Sequence, residues 1–310
     1  MEYRLLGNTG LIVSEIGFGS WAIGGDEWGV VKDNESIDAI NKAIDLGVNF
    51  IDTADVYGLG HSETLVAKAI INRRQDIILS TKGGLIGHHY DPNQPAVYGD
   101  PQKIIDAFDA SLLRLKTDYI DVYFCHIWWD KPEETEAFLQ AFQALKKSGK
   151  VRAVGVSTND LNYIKHFNQN DDLDVVQFDY SILNKEPEKD ILPYIEKHNL
   201  GAVIRGPLKM GILTGKFNHE TQFPDDDLRK DWPKEKWFKD SLNKVEKLRS
   251  LVRSNRSLAQ IALRYVLSHS AVSVAIPGAK NSPQVEENSS HLTRPLLLDN
   301  EIEFIKNFNC

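Results

Sequence analysis

The sequence predicts an α/β fold: a single closed (β/α)8 barrel of the TIM type, with an N-terminal β-hairpin as plug and extra helices toward the C-terminus. Three observations carry this. Short β-rich runs alternate with longer stretches of helical period, eight times over, the pattern of a parallel sheet covered by helices. The 310 residues accommodate the roughly 250 that an eightfold barrel needs. No G-x-G-x-x-G follows the first predicted strand, which weakens the competing reading, an open doubly wound sheet. No low-complexity stretch or internal linker interrupts the chain, so residues 1–310 are expected to form one domain.

The elements follow in order. Tyr3–Leu5 and Leu11–Ser14 flank Gly7-Asn8-Thr9-Gly10, a hairpin signature. Ile16–Gly19 is the first barrel strand. Asn34 is placed to cap a helix carrying Ile37, Ile40, Ala43 and Ile44, which Gly47 stops. Val48–Asp52 and Ile77–Thr81 are the second and third strands, with a helix over Glu63–Ile70 between them. Then come a helix over Pro101–Leu115, a strand over Tyr119–Cys125, a helix over Pro132–Ser148 ended by Gly149, and a strand over Val151–Ser157. Leu161–Phe167, Lys189–His198, Trp237–Arg253, Leu258–Leu267 and Asn300–Phe308 read as helices, and Val175–Phe178, Gly201–Arg205 and Val272–Ile276 as strands. Gly83–Asp100 and Leu208–Lys236 lack regular period and follow strands, which puts both on the rim where barrel sites form.

Composition narrows the function classes. Hydrophobic residues at 42% and charged residues at 26% describe an ordinary globular protein with a core. A net charge of −8 argues against nucleic acid as a partner. Two cysteines, Cys125 and Cys310, make no disulfide framework, so a reducing, cytoplasmic setting is expected. Neither a signal peptide nor an apolar run of membrane-spanning length is read, so no membrane association is expected.

The polar residues at strand ends carry the chemistry. Asp52 ends the second strand, Lys82 follows the third, His126 follows the fourth, and Tyr57 sits in the loop after the second. A parallel barrel gathers all these ends at one mouth. Taken alone, each has a plain structural explanation: a turn aspartate, a solvated lysine, a packed tyrosine, a histidine under a loop. At consecutive rim positions they suit proton donation coupled to a reduction. Phenol is a weak acid at neutral pH, and a neighbouring ammonium is expected to lower its pKa. Asp52 would hold Lys82 charged, and His126 would polarise a carbonyl oxygen. His88 and His89 are adjacent in a loop without H-x-H or H-E-x-x-H spacing, so no metal site is expected.

At these residues the chain resembles the aldo-keto reductases, of the bacterial and potassium-channel-β-subunit-like branch. The resemblance rests on G-F-G-S-W (Gly17–Trp21), N-F-I-D-T-A-D-V-Y-G, S-T-K-G, Y-I-D-V-Y-F-C-H, V-R-A-V-G-V-S, V-V-Q-F-D-Y, P-L-K-M-G-I-L-T-G-K-F and I-P-G-A-K-x-x-x-Q-x-E-E-N, and it runs from about Tyr3 to Asn288. It implies NADPH/NADP+ as cofactor, with NADH as an alternative, and a small-molecule carbonyl substrate reduced to an alcohol. It makes Tyr57 the general acid, tuned by Lys82 and Asp52, with His126 orienting the carbonyl. Ser157 and Gln177 would read the nicotinamide amide, with Asp52, Ser20 and Trp21 bordering the cofactor. Gly206, Pro207, Leu208 and the run from Gly211 to Lys216 would wrap the pyrophosphate, with Lys216 as counter-charge. Gly278 and Lys280 follow the last strand. Pro283 opens a helix whose N-terminus favours phosphate, Lys280 is assigned the 2′-phosphate, and Gln284, Glu287 and Asn288 meet the adenosine.

The chain departs from the family pattern at three places. Arg205 stands where an aromatic often stacks on the nicotinamide, and a planar guanidinium can stack as well. Ser157-Thr158 replaces Ser-Asn. Gln284 stands where many members carry an arginine. Trp21, Trp128 and Trp129 are expected as pocket walls beside His126. Two other functions stay open on the sequence: a cofactor-sensing regulatory subunit with weak turnover, and a lyase using Lys82 as a Schiff-base nucleophile.

Overall fold

Tyr3–Leu5 (β1) and Ile12–Ser14 (β2) pair antiparallel as the predicted hairpin. The computed structural model describes residues 1–25, 27–29, 31–83, 99–126, 132–254, 256–289 and 297–307. His88, His89, Trp128, Trp129 and Cys310 lie outside them, as does most of the Gly83–Asp100 loop. Among the described residues, eight parallel strands form one sheet. They are Phe18–Gly19 (β3), Phe50–Asp52 (β4), Ile78–Gly83 (β5), Ile120–His126 (β6), Val151–Ser157 (β7), Val175–Asp179 (β8), Gly201–Arg205 (β9) and Val274–Ala275 (β10). They pair in chain order. Parallel bridges Ile16↔Ala275 and Gly19↔Gly278 join the first strand to the last, so the sheet closes on itself. This is the expected (β/α)8 barrel rather than an open sheet.

Helices cover the outside: Asp33–Asp45 (α1), His61–Ile70 (α2), Pro101–Leu115 (α3), Pro132–Lys147 (α4), Leu161–Phe167 (α5), Ile191–His198 (α6), Lys236–Leu248 (α7), Leu258–Leu267 (α8), Ser282–Ser289 (α9) and Asp299–Lys306 (α10). The α1–α9 contact closes this outer ring where the sheet closes beneath it. None of the helices among the described residues is long and apolar enough to cross a membrane. Asn34 is not a cap: α1 starts at Asp33 after an extended Lys32 (φ −91°, ψ 132°), and Asp33 and Glu35 complement the helix dipole instead.

Helix α3 shows how local sequence sets an element. The Asp100 carboxylate accepts from the Gln102 N–H at 2.9 Å, Pro101 occupies the first turn, and Lys116 leaves the helix in the left-handed region at φ 52°. Its face of Ile104, Phe108, Ser111 and Leu115 is buried, whereas Leu113 is 80% exposed. We expect Phe108→Ala to cost about 3–5 kcal/mol of unfolding free energy, and Leu113→Ala less than about 0.5 kcal/mol. Denaturant unfolding of the two variants checks the contrast.

Strand alternation divides the core in two. Ile51, Leu79, Tyr123, Val154, Val176 and Ile204 point outward into the helix layer. Phe50, Val122, Phe124, Ala153, Val175 and Val203 point inward, where they cluster with Leu6, Leu11 and Val13. The hairpin therefore plugs the lower mouth, as expected, and fills the barrel's base with apolar side chains. The upper mouth is filled differently. Continuing the inward series upward gives Asp52, Lys82, His126, Ser157, Gln177 and Arg205. Lys82 and His126 lie inside their strands, not after them, paired in the ladder with Phe124 and Ser157. A change from apolar to polar residues marks where the core chemistry changes, and the ladder continues past it.

Candidate active site

The polar layer at the barrel's upper mouth is held together by direct contacts. Lys82 is fully buried, and its ammonium donates to Asp52 Oδ2 at 2.7 Å, to the Thr53 carbonyl at 2.8 Å and to Tyr57 Oη at 3.1 Å. Three donors meet three acceptors, so the ammonium is saturated. The other oxygen of Asp52 accepts from Ser80 Oγ at 2.8 Å and Gln177 Nε2 at 2.9 Å, and Gln177 Oε1 accepts from Ser157 Oγ at 3.1 Å. One hydrogen-bonded chain thus runs from Tyr57 through Lys82, Asp52 and Gln177 to Ser157, across strands β4, β5, β7 and β8. The His126 ring lies edge-on to Tyr57 at 6.1 Å between centroids, and Trp21 stacks on Tyr57 at 6.0 Å with 22° between planes.

Tyr57 comes from a turn pinned on both sides. The Asp55 N–H donates to the Lys82 carbonyl at 3.1 Å, and the Ser62 N–H donates to the Tyr57 carbonyl at 3.2 Å. Gly58 follows at φ +58°, and a Cβ there would stand 2.2 Å from the Gly24 carbonyl oxygen. A side chain at 58 would push the Tyr57 turn off the loop that carries Trp21.

Charge states follow from this geometry. Burial pulls Lys82 down, but the Asp52 carboxylate and Tyr57 outweigh it, and its pKa is raised, so it stays an ammonium. A saturated, charged amine is a poor nucleophile, which argues against the Schiff-base reading. Burial also dominates at Tyr57. Lys82 pulls the phenol down as expected, but desolvation of the phenolate, reinforced by Asp52, leaves the pKa above 10.0. The expected net lowering is therefore corrected: Tyr57 is held as a neutral phenol. Burial, with Lys82 and Arg205 adding to it, holds His126 well below the usual histidine value, as a neutral imidazole.

A cavity of about 750 Å³ opens above this layer. Asp52, Tyr57, His126, Ser157, Gln177 and Trp21 line it, as do Arg205, Gly206, Pro207, Leu208 and Gly211 from the segment after β9, and Lys216, Gly278, Lys280, Gln284, Glu287 and Asn288. Ser20 does not. It continues the outward series from Phe18, is fully buried, and accepts from the Ser62 hydroxyl at 2.7 Å. Trp128 and Trp129 lie outside the described residues.

Sequence reasoning missed Trp28 and Arg229, which also line the cavity. Arg229 forms a bidentate pair with Asp227 at 2.6 and 2.8 Å and lies 4.9 Å from the Trp28 ring centroid. Both come from loops without periodicity, where an arginine among acidic residues reads as solvated. Burial and mutual repulsion with Arg229 lower the pKa of both Lys216 and Lys280, and Lys216 feels Lys280 as well. Three cations thus face one region of the cavity, with Asp227 and Glu287 as partial compensation. The Lys280 ammonium donates to the Trp28 carbonyl, and the Leu228 N–H donates to the Glu27 carbonyl at 2.8 Å, so the loops after β3 and β9 meet over the cavity.

Comparison with known proteins places the chain. The profile of the aldo/keto reductase family matches residues 15–309. The aldo-keto reductase YhdN of Bacillus subtilis is 36% identical over 292 residues, covering 92% of this chain and 87% of its own. An NADH-specific methylglyoxal reductase of Escherichia coli is 32% identical, covering 93% and 92%. The structure of a glycerol dehydrogenase from Gluconobacter oxydans superposes with a TM-score of 0.82 at 33% identity, covering 99% of this chain and 94% of its own.

Proposed function

The chain belongs to the aldo/keto reductase family and is an oxidoreductase, and on that premise we propose that it reduces a small aldehyde or ketone to the alcohol with NADPH. The observation that carries this reading is the Lys82–Tyr57 contact at 3.1 Å inside the buried Asp52–Lys82 pair, at the base of the cavity. The residues present fit the cofactor. The Gln177 amide and Ser157 hydroxyl, each donor and acceptor, suit a carboxamide. Lys216, Arg229 and Lys280 are three cations whose repulsion an anionic group would relieve. Gly206 takes φ +64°, where a Cβ would stand 2.6 Å from Asp179 Oδ1, so backbone rather than side chain lines the rim there.

When bound, the nicotinamide supplies a hydride to the carbonyl carbon. Tyr57 Oη donates its proton to the carbonyl oxygen, and the negative charge left on the phenolate faces the Lys82 ammonium. His126, neutral, directs an N–H at the same oxygen without competing as an acid. The raised pKa of Tyr57 keeps the donor protonated, and Lys82 stabilises the phenolate only as it forms. Trp21 forms a substrate wall in this reading, and residues 1–310 act as one domain.

Arg229 supplies a cation that Gln284 does not. The Gln284 side chain is engaged locally, its Oε1 accepting from the Lys280 N–H at 2.9 Å. Charge-assisted contacts are worth about 1.5–3 kcal/mol, so Arg229→Ala and Lys280→Ala should each weaken NADPH roughly tenfold or more, with a smaller loss for NADH. The test is fluorescence titration with NADPH and NADH, then turnover on a panel of aldehydes and ketones. Absence of nicotinamide binding, or no turnover on any carbonyl, would overturn the reading. Tighter binding of NADH than NADPH would overturn the NADPH preference, and with it the Arg229 and Lys280 assignments, and leave carbonyl reduction in place.

A further inference from the structure

Arg205 is the odd member of the polar layer. It continues the inward series of β9 one step above Val203, and Val203 pairs with Gln177 on β8. Its side chain therefore rises over the layer that holds the Gln177 amide and the Ser157 hydroxyl. It lines the cavity, and its charge reaches both reacting groups: burial dominates at each, raising Tyr57 and lowering His126, and Arg205 adds a smaller downward pull on both. Its position is set by Asn159, whose Oδ1 accepts from Arg205 Nη2 at 2.9 Å and from the Asp179 N–H at 2.9 Å. Asn159 Nδ2 in turn donates to the Asp179 carbonyl at 2.9 Å. The Asp179 carboxylate is engaged elsewhere: Lys209 Nζ donates to its Oδ2 at 2.9 Å, and Asn184 Nδ2 at 3.1 Å. Among the described residues no carboxylate forms an ion pair with Arg205. A guanidinium held by a neutral amide, with no carboxylate in ion-pair contact and its ladder neighbour Asp179 tied to Lys209, thus overlooks the reacting end of the cavity.

That arrangement has a consequence for redox state. The two forms of the cofactor carry the same phosphates and adenosine, and they differ in the ring, which is neutral when reduced and positively charged when oxidised. We propose that Arg205, positioned by Asn159, makes this site discriminate against the oxidised ring, so that NADPH binds more tightly than NADP+. The inference rests on the cofactor reading above. It leaves the overall equilibrium untouched. It predicts that the chain selects reduced cofactor from a mixed pool and releases the oxidised form readily. An aromatic side chain at this position would stack on either ring without the charge penalty.

The test is the ratio of the NADP+ and NADPH dissociation constants, measured by titration on the full chain and on Arg205→Gln, Arg205→Lys and Asn159→Ala. Taking the ratio cancels Lys216, Arg229 and Lys280, which meet the same phosphates in both forms. A like-charge contact near a protein surface supports a change of roughly tenfold, so Arg205→Gln should lower the ratio by about that factor. Arg205→Lys should keep most of it, and Asn159→Ala should fall between. Added salt should shrink the wild-type ratio itself, a check that needs no variant to fold. An unchanged ratio in Arg205→Gln, or an equal fall in Arg205→Lys, overturns the charge argument. A wild-type chain that binds neither nucleotide overturns the cofactor reading as well, whereas binding of both with an unmoved ratio overturns this inference alone.

Discussion

Tyr57→Phe is expected to lower kcat for carbonyl reduction by roughly 10²–10⁴-fold, the range for loss of a positioned general acid, with the NADPH dissociation constant unchanged. The substitution removes one oxygen and keeps the ring, so the stack on Trp21 at 6.0 Å survives and the wall of the cavity stays in place. Lys82 loses one of three acceptors and retains Asp52 and the Thr53 carbonyl. A loss of turnover with intact cofactor binding therefore reports on the proton and not on the fold. Full activity in Tyr57→Phe would remove the tyrosine from the mechanism. The wild-type pH profile gives a second check. In the proposed mechanism Tyr57 acts as a protonated donor, and its pKa is raised above 10.0. Its contribution to kcat/KM is then constant through the neutral range and declines only above that value. His126 is held well below 6.5, so it adds no titration near neutrality. A profile that fell through the neutral range would contradict both assignments.

The barrel was legible because its signal is repetition. Eight alternations of period two and period 3.6 leave few topologies, and the long elements α3 and β7 appear with the bounds their patterns predict. Strand ends were less legible. The apolar run stops before Lys82 and His126, but the ladder that continues through them is a pairing with a neighbouring strand and leaves no trace in either strand's own residues. The same limit explains Ser20. Motif position brings it to the mouth, but the parity of its strand turns it outward to Ser62. The direction of the Tyr57 shift needed burial as well as neighbours, and sequence supplies only the neighbours. Arg229 needed the path of an irregular loop, for which neither period nor propensity gives a rule. Asp52, Tyr57, Lys82 and His126 were recoverable because a parallel barrel brings strand ends together whatever their separation in the chain.

The second large effect is expected at the Asp52–Lys82 pair, where stability and turnover are coupled. Lys82 is fully buried and the pair is 2.7 Å apart. Removing one partner strands the other charge in the barrel, a loss of about 3–5 kcal/mol in comparable cases. Lys82→Met fits that description, since the Asp52 carboxylate keeps only the neutral donors Ser80 and Gln177. Asp52→Asn leaves the ammonium with the Thr53 carbonyl and Tyr57 Oη. The double variant Asp52→Asn/Lys82→Met should cost less than the sum of the single ones, because the second change removes a charge that the first has orphaned. Denaturant unfolding measures this, and strict additivity would show that the pair is not coupled. The pH dependence follows from the raised Lys82 pKa. The stabilisation is fully present below the ordinary lysine value of 10.5 and is lost as pH rises through the higher folded value. Turnover should fall in both single variants even where they fold, because the phenolate formed at Tyr57 has then lost its counter-charge or the carboxylate that holds it in place. The double variant, although more stable than the sum of its parts predicts, should recover no activity: folding requires only that the buried charges balance, whereas proton transfer requires the ammonium itself beside the phenol.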